Sequence, residues 1–481
     1  MKMRWPRIFL SLVVLALLLL NSASAQDNNY WTNQFGLRSN LMGGAVVGGV
    51  RDASAGFYNP GALPFVSDPS INVNANAYKV ESFKLNNAAG TNENLDSDQV
   101  SVVPLLVAGT LTFDNAPDHY LGWSFLTRNS MSMNASLRSD VVADVMNNSY
   151  FPGPEDYIGQ VLVDNTLQEY WGGLSYGYKV NDSWALGITN FLALRDQETN
   201  ATQAARAVNK AFSTNVASTD TFNTMDYWNL RLLWKMGVAG NIGNWKLGFA
   251  ATTPSLDLVG DGTVYRDLTI QNIDMSGDGI PESIVASDRQ DGLDATWRSP
   301  ASLSGGVEYA FSEQTKAGVS AEYFFKQNRY NVIMPKPRDF VRPTGAIPGW
   351  DSAEFLRVAY QADPVFNVAA GIEQKLSCDW TGFIGFRTDY SAYKEGPAEF
   401  GGFQPGISKW DLYHVTTGAI YKHERSELGL GITYSWGSSD DYKQLANFGN
   451  ANEQSLLLGT TEQTSADYSS IGLMIGYSYI F

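Results

Sequence analysis

The side chains of this sequence that could do chemistry are arranged for binding rather than for bond making. Three histidines are present, His119, His414 and His423. None stands at metal-ligand spacing from another or beside a motif-borne serine, so no catalytic residue is assigned. His414 with a serine brought near by folding is the one arrangement left open. Oxygen ligands are denser in the run from Asp274 to Glu282, where Asp274, Ser276, Asp278 and Glu282 flank two glycines. Ca²⁺ takes several oxygens around a sharp bend, but Val285 stands at the twelfth position, where a carboxylate normally closes such a loop. The run reads either as a structural Ca²⁺ site or as an ordinary acidic turn, and no other cofactor is expected.

A third set mixes grease and base. Leu126, Phe324, Phe383, Leu412, Ile420 and Met474 fall on the same strand faces as Arg128, Arg138, Lys326 and Arg387. If those faces line an interior, the apolar residues suit a hydrophobic ligand and an arginine suits its carboxylate. The competing reading is that the apolar residues pack on another part of the chain. The bases would then pair with Glu308, Glu322 or Asp389.

Both readings need strands to carry them, and the periodicity supplies these. At the C-terminus Ile471, Leu473, Ile475, Tyr477, Tyr479 and Phe481 alternate with small or less bulky residues, and Leu428, Leu430, Ile432, Tyr434 and Trp436 do the same. Period two says that one face is apolar, not whether lipid or protein lies against it. The connections decide. About fourteen strand-like segments are joined alternately by tight turns and by long polar stretches. The tight turns are 114–118, 181–183, 243–244, 312–314, 376–379 and 422–426; the long stretches fall at 86–99, 139–166, 197–226, 255–296, 327–354 and 438–466. Short turns on one side, long loops on the other and an even strand count describe an outer-membrane barrel. Phe113, Tyr178, Trp184, Trp245, Phe311, Trp380, Tyr421 and Phe481 cluster at the tight turns, as a girdle at the headgroup level would.

The N-terminus fits export. Lys2, Arg4 and Arg7 precede an apolar run from Ile8 to Leu20 and the small residues Ala23-Ser24-Ala25, so residues 1–25 read as a signal peptide. No later segment is apolar for long enough to cross a membrane as a helix. A mean hydropathy of −0.19 suits a barrel, whose alternate residues face water. The single Cys378 forbids an intrachain disulfide, and a net charge of −16 speaks against nucleic-acid partners.

Residues 26–68, rich in glycine, precede a barrel segment at 69–481 and are short enough to fold into its lumen. Within them Asp52-Ala53-Ser54-Ala55-Gly56-Phe57-Tyr58-Asn59-Pro60-Gly61-Ala62-Leu63 resembles the N-terminal signature of the outer-membrane long-chain fatty acid transporters, the FadL type. That family carries an aromatic-Asn-Pro-Ala core in its hatch; here Gly61 replaces the alanine. Asn-Pro suits a fixed turn, because proline sets its own φ and pushes its predecessor out of the helical region.

The resemblance implies an all-β, monomeric transmembrane antiparallel barrel plugged by an N-terminal hatch in which Asp52, Ser54, Phe57, Tyr58, Asn59, Pro60 and Gly61 are the motif residues. It also implies a Gram-negative type outer membrane, lipid around the wall, and assembly by the barrel-assembly machinery. Hydrophobic compounds, long-chain fatty acids first among them, would be caught by outer loops, held in the lumen and released as the hatch shifts, often through a gap in the wall. A general porin for polar solutes and a surface adhesin or receptor are the alternatives. An occluding segment argues against the porin.

Overall fold

The computed structural model describes residues 28–66, 69–275, 279–343, 351–395 and 408–481. The signal segment lies outside them. Eighteen strands occur among the described residues: β1 Ser70–Leu85, β2 Leu95–Thr112, β3 His119–Ala143, β4 Glu155–Lys179, β5 Trp184–Asn209, β6 Val216–Ile242, β7 Trp245–Thr252, β8 Leu256–Ile273, β9 Glu282–Asp294, β10 Ser302–Ala310, β11 Thr315–Phe324, β12 Gln327–Ile333, β13 Val358–Ala362, β14 Val365–Lys375, β15 Trp380–Asp389, β16 Asp411–His423, β17 Ser426–Lys443 and β18 Gln463–Ile480. Fourteen of them close a barrel, each antiparallel to its neighbours, with β18 returning to β1. The other four, β8, β9, β12 and β13, prolong β7, β10, β11 and β14 above breaks at 253–255, 295–301, 325–326 and 363–364. Pro254, Pro300 and Pro364 lie in three of those breaks, where a residue without an N–H interrupts a ladder.

The outward faces are those the alternation marks. Ile471 is 54% exposed, Ile432 50% and Leu430 51%, while their neighbours point inward. Ladder pairing satisfies the backbone toward lipid except where β2 and β3 part, and these side chains meet acyl chains. Replacing Ile432 by lysine is therefore expected to cost about 2–4 kcal/mol if it sits near the midplane, read as a lower denaturation midpoint in lipid vesicles. At one rim Trp245, Phe311, Trp380 and Phe481 are exposed, and Trp380 lies 5.0 Å from Tyr421 between ring centres. All six tight turns fall where the sequence puts them, two of them, Gly243-Asn244 and Glu424-Arg425, only two residues long, with Gly243 at φ +58°.

The long connections differ from expectation. β3, β4, β5 and β6 run for 25, 25, 26 and 27 residues, so most of 139–166 and 197–226 is strand rather than loop. About ten residues suffice to cross the hydrocarbon at a tilt, so the rest stands above it as a sheet wetted on its outer face. Above the membrane that face is largely polar, and in β3 the apolar residues Met131, Met133 and Ala135 turn inward while ladder hydrogen bonding continues. Residues 444–460 fold back over this end, with the Phe448 ring against Gly159 of β4 and the Asn452 side chain capping a short 3₁₀ turn.

Residues 28–66 fill the lumen. Leu37, Leu41, Met42 and Leu63 are buried in one cluster with Leu126, Phe383, Ile420 and Met474 of the wall. A second cluster above it joins Trp410 and Leu412 to Phe83 and Tyr468, with Trp410 and Tyr468 stacked at 5.7 Å.

Candidate functional site: a basic, aromatic cavity above the hatch

The hatch motif works as a clamp. Asn59 Nδ2 donates to Val47 O at 3.1 Å and to Val238 O of β6 at 3.0 Å, while its Oδ1 accepts from Gly61 N at 3.1 Å. One side chain thus ties two turns of the hatch to the wall, and Pro60 opens the 3₁₀ turn Pro60–Phe65 that follows. Gly61 has a physical reason: a methyl group there would stand 2.6 Å from Gly237 O, so the alanine usual at this place does not fit. Asp52 Oδ1 accepts from Ser54 N at 3.0 Å and from its hydroxyl, and burial raises the Asp52 carboxyl above the usual range. Tyr58 donates to Gln34 Oε1 at 2.8 Å and accepts from Phe35 N at 2.9 Å. Asn59→Ala removes three hydrogen bonds from a buried place; a loss of about 2–4 kcal/mol is expected, measured as a fall in denaturation midpoint.

Phe57 is the motif residue that looks upward. It meets Phe35 at 4.5 Å and Trp171 at 6.3 Å, and with Tyr30, Trp297, Phe324 and Tyr360 it lines a narrow cavity of about 60 Å³ between the hatch, β3–β6 and the 295–301 break. Tyr30 stacks on Phe324 at 4.4 Å. Among these rings stand four lining cations, Arg128, Arg195, Lys235 and Arg298, against two acids, Glu169 and Glu322, an excess of two positive charges.

The acids are already engaged. Glu169 accepts from Arg195 Nη1 at 3.1 Å, Arg231 Nη2 at 2.5 Å and Trp171 Nε1 at 2.7 Å. Glu322 accepts from Trp31 Nε1 at 2.8 Å and Ser302 Oγ at 2.6 Å. Arg195 lies 3.7 Å above the Trp297 ring. Arg128 and Lys235 have no ion-pair partner among the described residues; Lys235 Nζ is 4.9 Å from the Phe57 ring centre, and Arg128 is 5.6 Å from it and 5.4 Å from that of Trp171. A buried and a half-buried cation over aromatic faces, with no carboxylate at ion-pair distance among the described residues, suit an anionic group beside an apolar body.

The remaining expected residues lie elsewhere. Phe324 and Arg128 line the cavity, whereas Leu126, Phe383, Ile420 and Met474 pack on the hatch and Leu412 belongs to the Trp410 cluster. Arg387 donates to Trp31 O at 3.0 Å and Thr32 O at 2.8 Å, so it holds the hatch. Arg138 pairs with Asp140 in the exposed upper sheet, and Lys326 is exposed just past the end of β11; neither faces the lumen. Asp389 accepts from Trp31 N and Thr32 Oγ1. The structure does bring a serine to His414: Nδ1 lies 2.6 Å from Ser435 Oγ. Nε2 is 3.8 Å from Asp389 Oδ2, too long for the hydrogen bond that would orient the ring.

Of the acidic run, Ser276 and Asp278 lie outside the described residues. Asp274 Oδ2 accepts from Gly279 N at 2.7 Å, Glu282 opens β9, and no metal-holding group of three or more His, Cys, Asp or Glu occurs among the described residues. Glu169, Trp171, Arg195, Lys235 and Trp297 are cavity residues that the sequence reading missed. A base between outward Trp234 and Met236 was the available signal for Lys235.

The wall beside the cavity is parted. β2 and β3 pair only as far as Leu106 and Leu126; above that level they separate, with a bulge at Arg128 in β3 and an irregularity at Leu105 in β2. Arg128 and Asn129, at the fork, line the cavity.

The fold is thus a lipid-facing, outer-membrane type β-barrel closed by its own N-terminal segment, with an aromatic, basic chamber above that segment. Solved structures with this architecture are FadL-type channels. A Pseudomonas aeruginosa FadL homologue superposes with a TM-score of 0.57 at 15% identity over 94% of this chain and 100% of its own. The toluene transporter TodX of Pseudomonas putida gives 0.55 at 13% over 93% and 99%, and the toluene transporter TbuX of Ralstonia pickettii 0.53 at 12% over 93% and 98%. No protein-family model and no curated protein matches the chain.

Proposed function

We propose that this protein carries hydrophobic compounds bearing an acidic head, long-chain fatty acids foremost, passively across the outer membrane. The observation that carries the reading is the pair of buried Lys235 and half-buried Arg128, set over aromatic rings with no carboxylate at ion-pair distance among the described residues. An acid entering there exchanges water for two cationic donors, while its apolar body gains about 25 cal/mol per Å² removed from water. The likeness to two toluene transporters supports a hydrophobic cargo in general. The carboxylate preference rests on this chain's own charges. Parting of β2 and β3 beside Arg128 supports a sideways exit into the membrane. The test is uptake of radiolabelled oleate by cells making the protein, compared with cells lacking it. A several-fold faster, saturable uptake is expected; equal rates would refute transport of this cargo.

A further inference from the structure

The hatch meets the wall backbone to backbone. On β5, β6, β7, β10, β11 and β14, six neighbouring strands, the inward residues at one depth are Gly187, Gly237, Gly248, Gly306, Gly318 and Gly371, and each has a hatch atom where a side chain would begin. A methyl group on Gly371 would stand 2.5 Å from Met42 O, and one on Gly306 2.8 Å from Gly48 N; at Gly187, Gly237, Gly248 and Gly318 the intruding atoms are Pro60 O, Asn59 Oδ1, Val47 O and Ala45 O. Open channels do not need such a belt. It lets a strip of chain lie flush on the wall through nearly half the circumference.

An ion network locks the same strip from its other edge. Arg38 donates through Nη2 to Glu308 Oε2 and through Nε to Glu373 Oε2, both at 2.6 Å, and Arg51 also pairs with Glu308. Lys316 completes the set on Glu373 at 2.8 Å. Two hatch arginines thus hold β10 and β14 at once. Burial, and then the neighbouring Arg38 charge, lower Arg51 to about 10, which leaves it charged at neutral pH. Breaking such a buried set exposes unpaired charges and is strongly unfavourable.

We propose that residues 36–65 are a stationary floor, welded to the wall by this glycine belt and the Arg38–Glu308–Arg51 latch, and that ligand passes without their leaving it. The clause on passage rests on the transport reading above; the stationary floor does not. Movement in the hatch is then confined to residues 28–35, which have no belt glycine against them and are tied by side chains such as Asp389 and Arg387 and by one backbone bridge, Asn29 to Ser391 with Ala392 N donating to Asn28 O at 2.9 Å.

Two measurements test this. In hydrogen–deuterium exchange on the detergent-solubilised full chain, amides of residues 40–62 that are hydrogen-bonded should exchange within about tenfold of the barrel strands. Exchange of this stretch orders of magnitude faster would overturn the floor whatever the protein carries. The second uses Val47→Cys with Ser320→Cys in a Cys378→Ser background, where Val47 N and Ser320 Oγ stand 3.0 Å apart. Uptake by the oxidised, cross-linked protein should stay within twofold of the reduced form. Loss of uptake on oxidation, restored by reductant, would mean that this strip must leave the wall and would overturn the proposal. If the reduced form and the unaltered protein both fail to take up oleate, the transport reading falls and exchange alone decides the floor.

Discussion

Replacing Arg128 and Lys235 together by alanine is expected to weaken binding of a long-chain fatty acid by about 10- to 100-fold, since charge-assisted hydrogen bonds contribute about 1.5–3 kcal/mol each and are not additive. Binding of the corresponding methyl ester should change by less than about threefold, because it lacks the anion and keeps the rings. The contrast between the two ligands matters more than either number. Neither variant disturbs a native ion pair among the described residues, and Glu169 keeps both its arginines. Titration of the purified barrel with each ligand, followed by tryptophan emission from Trp171 and Trp297, reads the effect. Equal losses for acid and ester would show that the cations act only through packing on Phe57 and Trp171.

A valine at Gly248 should be the most damaging small substitution in the barrel. Its side chain would start on Val47 O, with Asn59 Nδ2 close by, so either the hatch lifts or the strand bends. Overpacking of this kind typically costs about 1–3 kcal/mol where side chains can move aside, and here the obstacle is backbone, so a loss above about 3 kcal/mol is expected. Gly305, on the opposite face of the neighbouring strand, provides the control: the nearest atom to a methyl group there is 3.9 Å away, and valine should be accepted within about 0.5 kcal/mol. Heat-modified mobility of the folded barrel on gels, scored against temperature, separates the two. Tolerance of both would mean that the hatch is not pressed against β7.

What could be read from the sequence follows from where lipid imposes a pattern. Within the hydrocarbon the alternation of Leu428 to Trp436 and Ile471 to Phe481 is enforced by acyl chains on one side, and the six tight turns are confined by the membrane edge. Above the membrane the outer face meets water and the apolar residues, such as Met131, Met133 and Ala135, lie inside. The tall strands β3 to β6 therefore looked like loops, and Arg138, placed by extrapolation on a lumen face, stands in water beside Asp140. The motif around Asn59-Pro60 was legible because its turn demands particular residues. The cavity was not, because Glu169 meets Arg195 only through the register of β4 on β5, and the rings around them, Tyr30, Trp297 and Phe324, come from the hatch, the 295–301 break and β11. The bulge at Arg128 shifts the inward face within β3, a change that no periodicity announces. Likewise the belt glycines read singly as ordinary strand or turn residues; only strand register sets them at one depth.

Native mass spectrometry of the purified barrel titrated with oleate tests the central claim most directly. One oleate held per chain, retained by the unaltered protein and lost when Arg128 and Lys235 are both alanine, is the result expected from a plugged barrel with a basic, aromatic chamber. A protein that holds no oleate at concentrations saturating for such a site, or holds it equally well without those two cations, would contradict it.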